Sequence, residues 1–496
     1  MKKNDKLARS ELSMETEINK CVLCYNAPCK NIYKNIDPSR IIRAIKFDNK
    51  KGALTLMNNN ILEKNESCNT KCPLNVNIEY ILKNIIKDKN VVNDFNDIDL
   101  STSICGVKLE NPFLLSSSIV GSNYEMCKRA LESGWAGISV KTISLMQIEE
   151  SSPRFSTLKI CDKKFLGFKN IEQLSEHSVE ENIEMIKKLK EEFPNKVIIA
   201  SIMGRDEDEW KYLTKEVTKA NADLIELNFS CPNMKHDGTG SAVGQNPELV
   251  EKITRIVKEK TDIPVLAKMT PNITDMCVPA LAAKNGGADG ISAINTIKCI
   301  TNVDIDTLVP EPQVNGKSSL GGYSGRAVKP IALRYISEMT TNPKLDNLCY
   351  SGMGGICTWK DAVEFILLGC SSVQLTTSIM EYGYRIIDDL ILGLKIYMKE
   401  KNYKKVSDFI GLSKSKLIKN DELDKDTIEF PKFNYDRCIG CGRCYLSCMD
   451  GGHQAIKFGE DRKPYLNGKK CVGCQLCKLV CPQKAIDVAP KRISKT

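Results

Sequence analysis

From Leu109 onward the chain alternates short apolar runs with amphipathic stretches, and this alternation constrains the fold more than any other feature. Strands are expected at Phe113 to Ile119, Gly137 to Thr142, Val197 to Met203, Leu224 to Cys231, Val265 to Thr270, Gly290 to Thr296, Leu348 to Gly352 and Val373 to Ser378. Helical periodicity lies between them, in VEENIEMIKKLKEEF, NPELVEKITRIVKEK and WKDAVEFILLG. Eight strands, each followed by a helix over about 300 residues, predict an α/β fold of the (β/α)8 TIM barrel type, with a doubly wound sheet as the runner-up.

A barrel of this kind carries its chemistry at the carboxyl ends of its strands. There the sequence places Ser116 and Ser117, Lys141 and Thr142, Asn228 with Ser230 and Cys231, Lys268, Asn295 and Thr296, Gly354 and Gly355, and Thr376 with Thr377. A barrel built for stability alone has no use for two lysines in such positions. The run ELNFSCP, from Glu226 to Pro232, stands out because it begins as a strand, with Leu224, Ile225 and Leu227 apolar, and ends in polar groups and a thiol, just before a proline that blocks further pairing. After strands seven and eight, SGMGGI offers open backbone N–H groups and QLTTSI two hydroxyls, where barrels often hold phosphate.

Of 22 cysteines, five precede residue 73 and eight follow residue 437. Clustering at the two ends of a long chain argues for metal in a reducing compartment, not for a disulfide framework. Cys438, Cys441, Cys444 and Cys448 are followed by Cys471, Cys474, Cys477 and Cys481, with Pro482 next. This double run is the two-cluster ferredoxin spacing, in which the fourth cysteine of each run ligates the other four-iron cluster. Met449 takes the place of the proline usual after the first run, a change that removes no ligand. Near the start, Cys21, Cys24 and Cys29 form one group and Cys68 and Cys72 another. Five thiols can fill one further iron–sulfur site and cannot fill two. The expected organisation is a small helical, cysteine-containing domain over 1–99, the barrel over 100–405, a linker over 406–430 and an α+β ferredoxin domain over 431–496.

The 71 Lys plus Arg exceed the 62 Asp plus Glu by nine, spread without blocks of like charge. Such a surface suits docking of an acidic redox partner and does not mark a nucleic-acid binder. The first twenty residues lack the apolar core of a signal peptide and no run approaches a membrane span, so a soluble, cytoplasmic protein is expected. GTGSAVG lacks the third glycine of a dinucleotide fingerprint, and NGKSS lacks the first glycine of a P-loop. The chain is therefore expected to rely on another protein for nicotinamide.

The strand ends NPFLLSSS, VKT, ELNFSCPN, AKMTPNI, AINT, GGYSGRAVKP and SGMGGI, with the cysteine-rich tail, resemble the FMN-binding barrel of the dihydropyrimidine dehydrogenases, related to the dihydroorotate dehydrogenases. The resemblance covers roughly Leu100 to Asp487. The first hundred residues are similar only to the cysteine-rich helical domain of larger members, and Tyr33 stands where that domain has a fourth cysteine after Cys29. The resemblance implies FMN held by Ser116, Lys141, Thr142, Lys268, Gly325, Gly354, Gly355, Thr376 and Thr377. It places a pyrimidine against Asn170, Asn228, Phe229, Ser230, Asn295 and Thr296, with Cys231 as the general acid. It also implies two 4Fe-4S clusters, and a hetero-oligomer fed by an NAD(P)H- and FAD-binding flavoprotein or by a soluble ferredoxin.

Elementary chemistry supports these roles. Reducing a uracil-like ring needs a hydride at one alkene carbon and a proton at its neighbour. A thiol with a pKa of about 8.5 keeps a proton at neutral pH and can deliver it, which a serine hydroxyl cannot. Amide side chains match the alternating donors and acceptors of an imide edge. The only histidines, His177, His236 and His453, lie away from the expected strand ends. The nearest alternative is dihydroorotate oxidation, which calls for a cation aimed at the substrate carboxylate, whereas the loop FKNIEQLSEH around Asn170 is amide-rich. A non-catalytic electron-transfer subunit is the other.

Overall fold

The computed structural model describes residues 14–57, 62–65, 72–85, 94–158, 165–230, 240–489 and 493–494. They fall into two compact bodies. One comprises 33–64 and 88–416, the other 1–32, 65–87 and 417–496.

The first body is the expected barrel. Its strands are β1 (Phe113–Leu115), β2 (Gly137–Ser139), β3 (Val197–Ile202), β4 (Leu224–Asn228), β5 (Val265–Lys268), β6 (Gly290–Ala293), β7 (Cys349–Met353) and β8 (Ser372–Leu375). All pair in parallel in chain order, and the ring closes where Val373 of β8 pairs with Phe113 of β1. The strands are buried on both faces, which is why they read as continuous apolar runs. Seven of them stop short of the expected ends, because residues such as Ser116 and Asn295 leave the ladder to turn across the mouth of the barrel. Eight outer helices follow: α1 (Tyr124–Glu132), α2 (Val179–Glu192), α3 (Glu207–Lys219), α4 (Pro247–Lys258), α5 (Cys277–Asn285), α6 (Lys329–Thr340), α7 (Trp359–Leu367) and α8 (Ile387–Lys401). Side-chain caps start several of them. Ser178 and Glu181 form a capping box on α2, Thr358 and Asp361 another on α7, and Asn123, Asp206 and Asn246 cap α1, α3 and α4.

The two ends of the barrel are finished differently. At the amino end a hairpin, Thr102–Ile104 with Val107–Leu109, packs Ile104 and Leu109 against Leu114, Val197, Leu224 and Leu266 and closes the bottom. At the carboxyl end the connections after β2 and β6 form an antiparallel sheet in the order Ile297–Cys299, Gly321–Ser324, Phe168–Asn170, Phe155–Thr157. Lys169, fully buried in that sheet, donates to the carbonyls of Glu311 and Ser319, both at 2.7 Å, and so anchors the long excursion after β6.

Part of the stretch expected as a helical domain over 1–99 groups with the barrel. Residues 33–64 fold with the barrel, where Arg43 of the helix Pro38–Lys46 donates to Asp389 of α8 at 2.5 Å and to Asp388 at 3.3 Å. That attachment joins positions 346 apart in sequence, which local periodicity cannot reveal. The expected linker 406–430 likewise divides, at 416/417.

In the second body, Pro431–Phe433 pairs with Ile486–Val488 and Ile456–Phe458 with Pro464–Leu466. Cys444, Ile456, Cys477 and Ile486 form its small core, with the helices Arg443–Gly451 and Leu476–Leu479 carrying the two cysteines. Among the described residues no helix is long and apolar enough to cross a membrane.

Candidate functional site

A cleft with an empty volume of about 1200 Å³ opens at the carboxyl end of the barrel, beneath the antiparallel sheet. Ser116, Lys141, Thr142, Asn170, Asn228, Asn295, Thr296, Gly325, Gly354, Gly355, Thr376 and Thr377 all line it. Three other candidates do not. Ser230 is fully buried behind the wall, and Lys268 lies just under the floor, 2% exposed. Phe229 turns into the core, where its ring sits 5.9 Å from that of Trp210. Strand alternation explains this, since Asn228 faces the cleft and its neighbour must face away. Cys231 lies outside the described residues.

The amides of the wall are bonded to one another. Asn228 Nδ2 donates to Thr142 Oγ1 at 2.9 Å, and Thr142 meets Ser201 at 2.9 Å and Ser117 at 3.1 Å. Ser230 donates from its hydroxyl to Asn228 Oδ1 at 2.9 Å and accepts from Asn295 Nδ2 at 2.6 Å. Thr142, Asn228, Ser230 and Asn295, from the ends of β2, β4 and β6, therefore form one continuous rail. Asn170 comes from the overlying sheet and donates to the Gly322 carbonyl at 3.4 Å. A side chain at Gly322 would collide with Thr296 Oγ1, so glycine there keeps that hydroxyl in place.

The floor is charged, which the sequence reading missed. Glu226 of β4 is wholly enclosed and receives Lys268 Nζ at 3.1 Å, Ser139 at 3.1 Å, Ser292 at 2.8 Å and Gln374 at 3.1 Å. Donors from four other strands thus converge on one carboxylate, and Lys268 also reaches Ser116 Oγ at 3.4 Å. A glutamate between Ile225 and Leu227, with serines at matching depth in β2, β6 and β7, was the available signal.

Lys141 projects into the cleft with no hydrogen-bond partner for its ammonium among the described residues. Glu172 stands 3.8 Å away and Glu150 4.0 Å, and Arg154 pairs with Glu172 at 3.2 Å. Burial pushes the Glu150 carboxyl above its usual range. At the opposite end, beside Gly354 and Gly355, Arg326 Nη2 donates to Cys357 Sγ at 2.9 Å, and burial pushes the Cys357 thiol up to about 11. Gly354 and Gly355 hold φ of 115° and 79°, and both line the cleft with Gly325, Thr376 and Thr377. A buried ammonium with no hydrogen-bond acceptor at one side, glycine backbone and hydroxyls at the other, and a polar rail between them fit a flat conjugated ring with a phosphate tail.

In the second body cysteines line two further cavities. Cys438, Cys441, Cys444 and Cys481 line one, with an empty volume of about 410 Å³, and Cys448, Cys471, Cys474 and Cys477 line the other, at about 360 Å³. Three thiols of each run thus join the fourth of the other run. The remaining walls are mostly apolar, with Phe433, Phe458 and Ile486 in one and Ile456, Leu466 and Val472 in the other. Backbone N–H groups of Ala455, Gly473 and Ala485 point at Cys448, Cys471 and Cys481, at 3.3, 3.5 and 3.3 Å. Four soft ligands in a dry pocket, with N–H···S bonds, is the donor set of an iron–sulfur cluster. At the amino end Cys21, Cys24, Cys29 and Cys72 are half-buried, and Cys68 lies outside the described residues.

Comparison with known proteins finds matches over both the barrel and the tail. Residues 99–398 match the dihydroorotate dehydrogenase family model, and residues 432–488 match the 4Fe-4S dicluster domain. The chain is 53% identical over 398 residues to the NAD-dependent dihydropyrimidine dehydrogenase subunit PreA of Escherichia coli K12, covering 80% of this chain and 97% of that protein. It is 38% identical over 327 residues to the chloroplastic dihydropyrimidine dehydrogenase (NADP(+)) of Arabidopsis thaliana, covering 64% and 77%. To the catalytic subunit of dihydroorotate dehydrogenase B (NAD(+)) of Pyrococcus abyssi it is 37% identical over 314 residues, covering 63% and 99%.

Proposed function

Because this chain belongs to the dihydroorotate dehydrogenase family, we propose that it interconverts 5,6-dihydropyrimidines, dihydrouracil or dihydrothymine, with uracil or thymine. The observation that carries this reading is the cleft wall. Asn170, Asn228, Asn295 and Thr296 offer paired donors and acceptors to an imide edge, and Glu150 and Glu172 balance Lys141 and Arg154. A substrate carboxylate gains little from so balanced a set of charges, whereas a neutral ring meets no penalty.

The residues divide the work. Asn228, Asn295, Thr296 and Asn170 orient the ring, and Ser230 fixes the two asparagines from behind without touching substrate. Cys231 follows Ser230 directly and serves as the acid that gives or takes the proton, a role open to a thiol and not to a serine hydroxyl. Lys141 lies along the rim, and Lys268, braced by Glu226, brings positive charge under the floor. Gly325, Gly354, Gly355, Thr376 and Thr377 would receive the phosphate tail of FMN. When bound, FMN supplies hydride chemistry and the clusters supply one-electron exchange.

Two 4Fe-4S clusters on the eight tail cysteines would connect the barrel to an NAD(P)H- and FAD-binding flavoprotein subunit, or to a soluble ferredoxin, in a hetero-oligomer. Roughly eight irons per chain are expected, and roughly twelve would assign a further cluster to Cys21, Cys24, Cys29, Cys68 and Cys72. The deciding experiment compares steady-state oxidation of dihydrouracil and dihydroorotate by the purified holoenzyme with an artificial acceptor. Dihydrouracil is expected to turn over faster, and the opposite order overturns the assignment.

A further inference from the structure

The amino end of the barrel, away from the cleft, carries a pair of cysteines with no part in the chemistry above. The hairpin that closes this end turns through Cys105 and Gly106, with φ of 49° and 83°. Two successive left-handed residues make the tight hairpin turn that favours Asn-Gly, and a cysteine in the first place costs roughly 1 kcal/mol in backbone energy. A residue that the backbone disfavours points to its side chain as the reason for its presence.

That side chain lies beside Cys349, the first residue of β7, whose Sγ accepts the Cys105 N–H at 3.1 Å. The neighbouring strand makes room for them. Gly290 pairs with Cys349 in register, and a Cβ on it would lie 2.9 Å from Cys105 Sγ. Both cysteines are half-buried, so small oxidants reach them, whereas Cys127 and Cys370 are wholly enclosed. The charged groups beside the pair neutralise each other, since Asp289 accepts from Lys258 at 2.9 Å.

We propose that Cys105 and Cys349 form an oxidisable dithiol that closes to a disulfide when the protein meets a peroxide. Cys349 is the attacking sulfur. The Cys105 N–H donates to it, and hydrogen bonding from Cys105 holds it below the usual thiol range against the opposing effect of burial. Its sulfur attacks one peroxide oxygen, the O–O bond breaks, and water leaves behind a sulfenic acid. The Cys105 sulfur then displaces the sulfenic oxygen as a second water and the S–S bond forms. For hydrogen peroxide the balance is two thiols oxidised by two electrons, one peroxide reduced and two waters released. The new bond ties the closing hairpin to β7, across 244 residues of sequence, and leaves the cleft untouched.

The test treats the reduced holoenzyme with hydrogen peroxide, blocks remaining thiols with N-ethylmaleimide and maps the digest by mass spectrometry. A peptide pair joined through Cys105 and Cys349, 2 Da lighter than the sum of its reduced parts and released by dithiothreitol, is expected. Recovery of both cysteines as N-ethylmaleimide adducts, at peroxide levels that oxidise other thiols of the chain, overturns the proposal. So does Cys349 trapped as a sulfinic acid with Cys105 still alkylated. In C349S the link is absent and Cys105 stays alkylated. This mapping is decisive in the wild-type protein, so a poorly folding variant does not obstruct it.

Discussion

In the barrel the groups facing the cleft are bonded to one another, Thr142 to Asn228, Asn228 to Ser230 and Ser230 to Asn295, on strands whose every residue is buried on both sides. In the tail, eight thiols converge on two cavities from loops and two short helices whose own core amounts to Cys444, Ile456, Cys477 and Ile486 with a few partly covered neighbours. Two of those four core residues are themselves among the cysteines that line the cavities. The difference teaches which way dependence runs. The barrel holds its site, whereas the tail is held by whatever its site binds, as in other small metallo-domains.

Iron removal should expose this difference most strongly. Chelation under reducing conditions is expected to abolish partner-linked turnover and open the tail to limited proteolysis while the flavin spectrum persists. Simultaneous loss of flavin and iron would erase the contrast. Next in size is Glu226→Ala, which leaves Lys268 buried without its partner and should destabilise the barrel by about 3–5 kcal/mol in denaturant unfolding. Stability within a few tenths of wild type would show that the floor is not held by this pair. Cys231→Ala should keep FMN and lose turnover by about two orders of magnitude. Asn228→Ala removes the centre of the rail and should weaken substrate binding by about 1–3 kcal/mol, read as a raised KM larger than any fall in kcat.

The smallest effect concerns pH. Burial, outweighing Arg43, lifts Asp389 from 3.8 to about 6, so the folded state binds this proton more tightly than the unfolded chain does. The stability this group contributes is therefore greatest below about pH 4, falls as pH rises toward 6 and is flat above. Unfolding midpoints of wild type and Asp389→Asn measured from pH 4 to 7 should diverge only within that window. A gap that stays constant from pH 4 to 6 would assign the attachment of the helix Pro38–Lys46 to another group.

All eight strands were legible because a parallel barrel buries both faces, and a run such as VIIAS has no other destination. The polar rim was legible for the complementary reason, that hydroxyls and amides at the end of such runs must leave the core. Phe229 shows the limit. It sits between Asn228 and Ser230, yet alternation sends its ring to Trp210. Glu226 was overlooked because a lone charge in a strand reads as a solvent-facing position, and only barrel closure brings Lys268, Ser139, Ser292 and Gln374 around it. Contacts far apart in sequence, Arg43 with Asp389 and Cys105 with Cys349, leave no local trace at all.

The exchange of Cys448 and Cys481 between the two cavities has a bearing on how the tail matures. Neither half of the tail owns a full set of four thiols, so under the proposed assignment neither metal centre could be finished while the other half is still unfolded. Loading of the two centres would then be coupled, and oxidative loss of one thiol would weaken a centre and, through the shared scaffold, its neighbour.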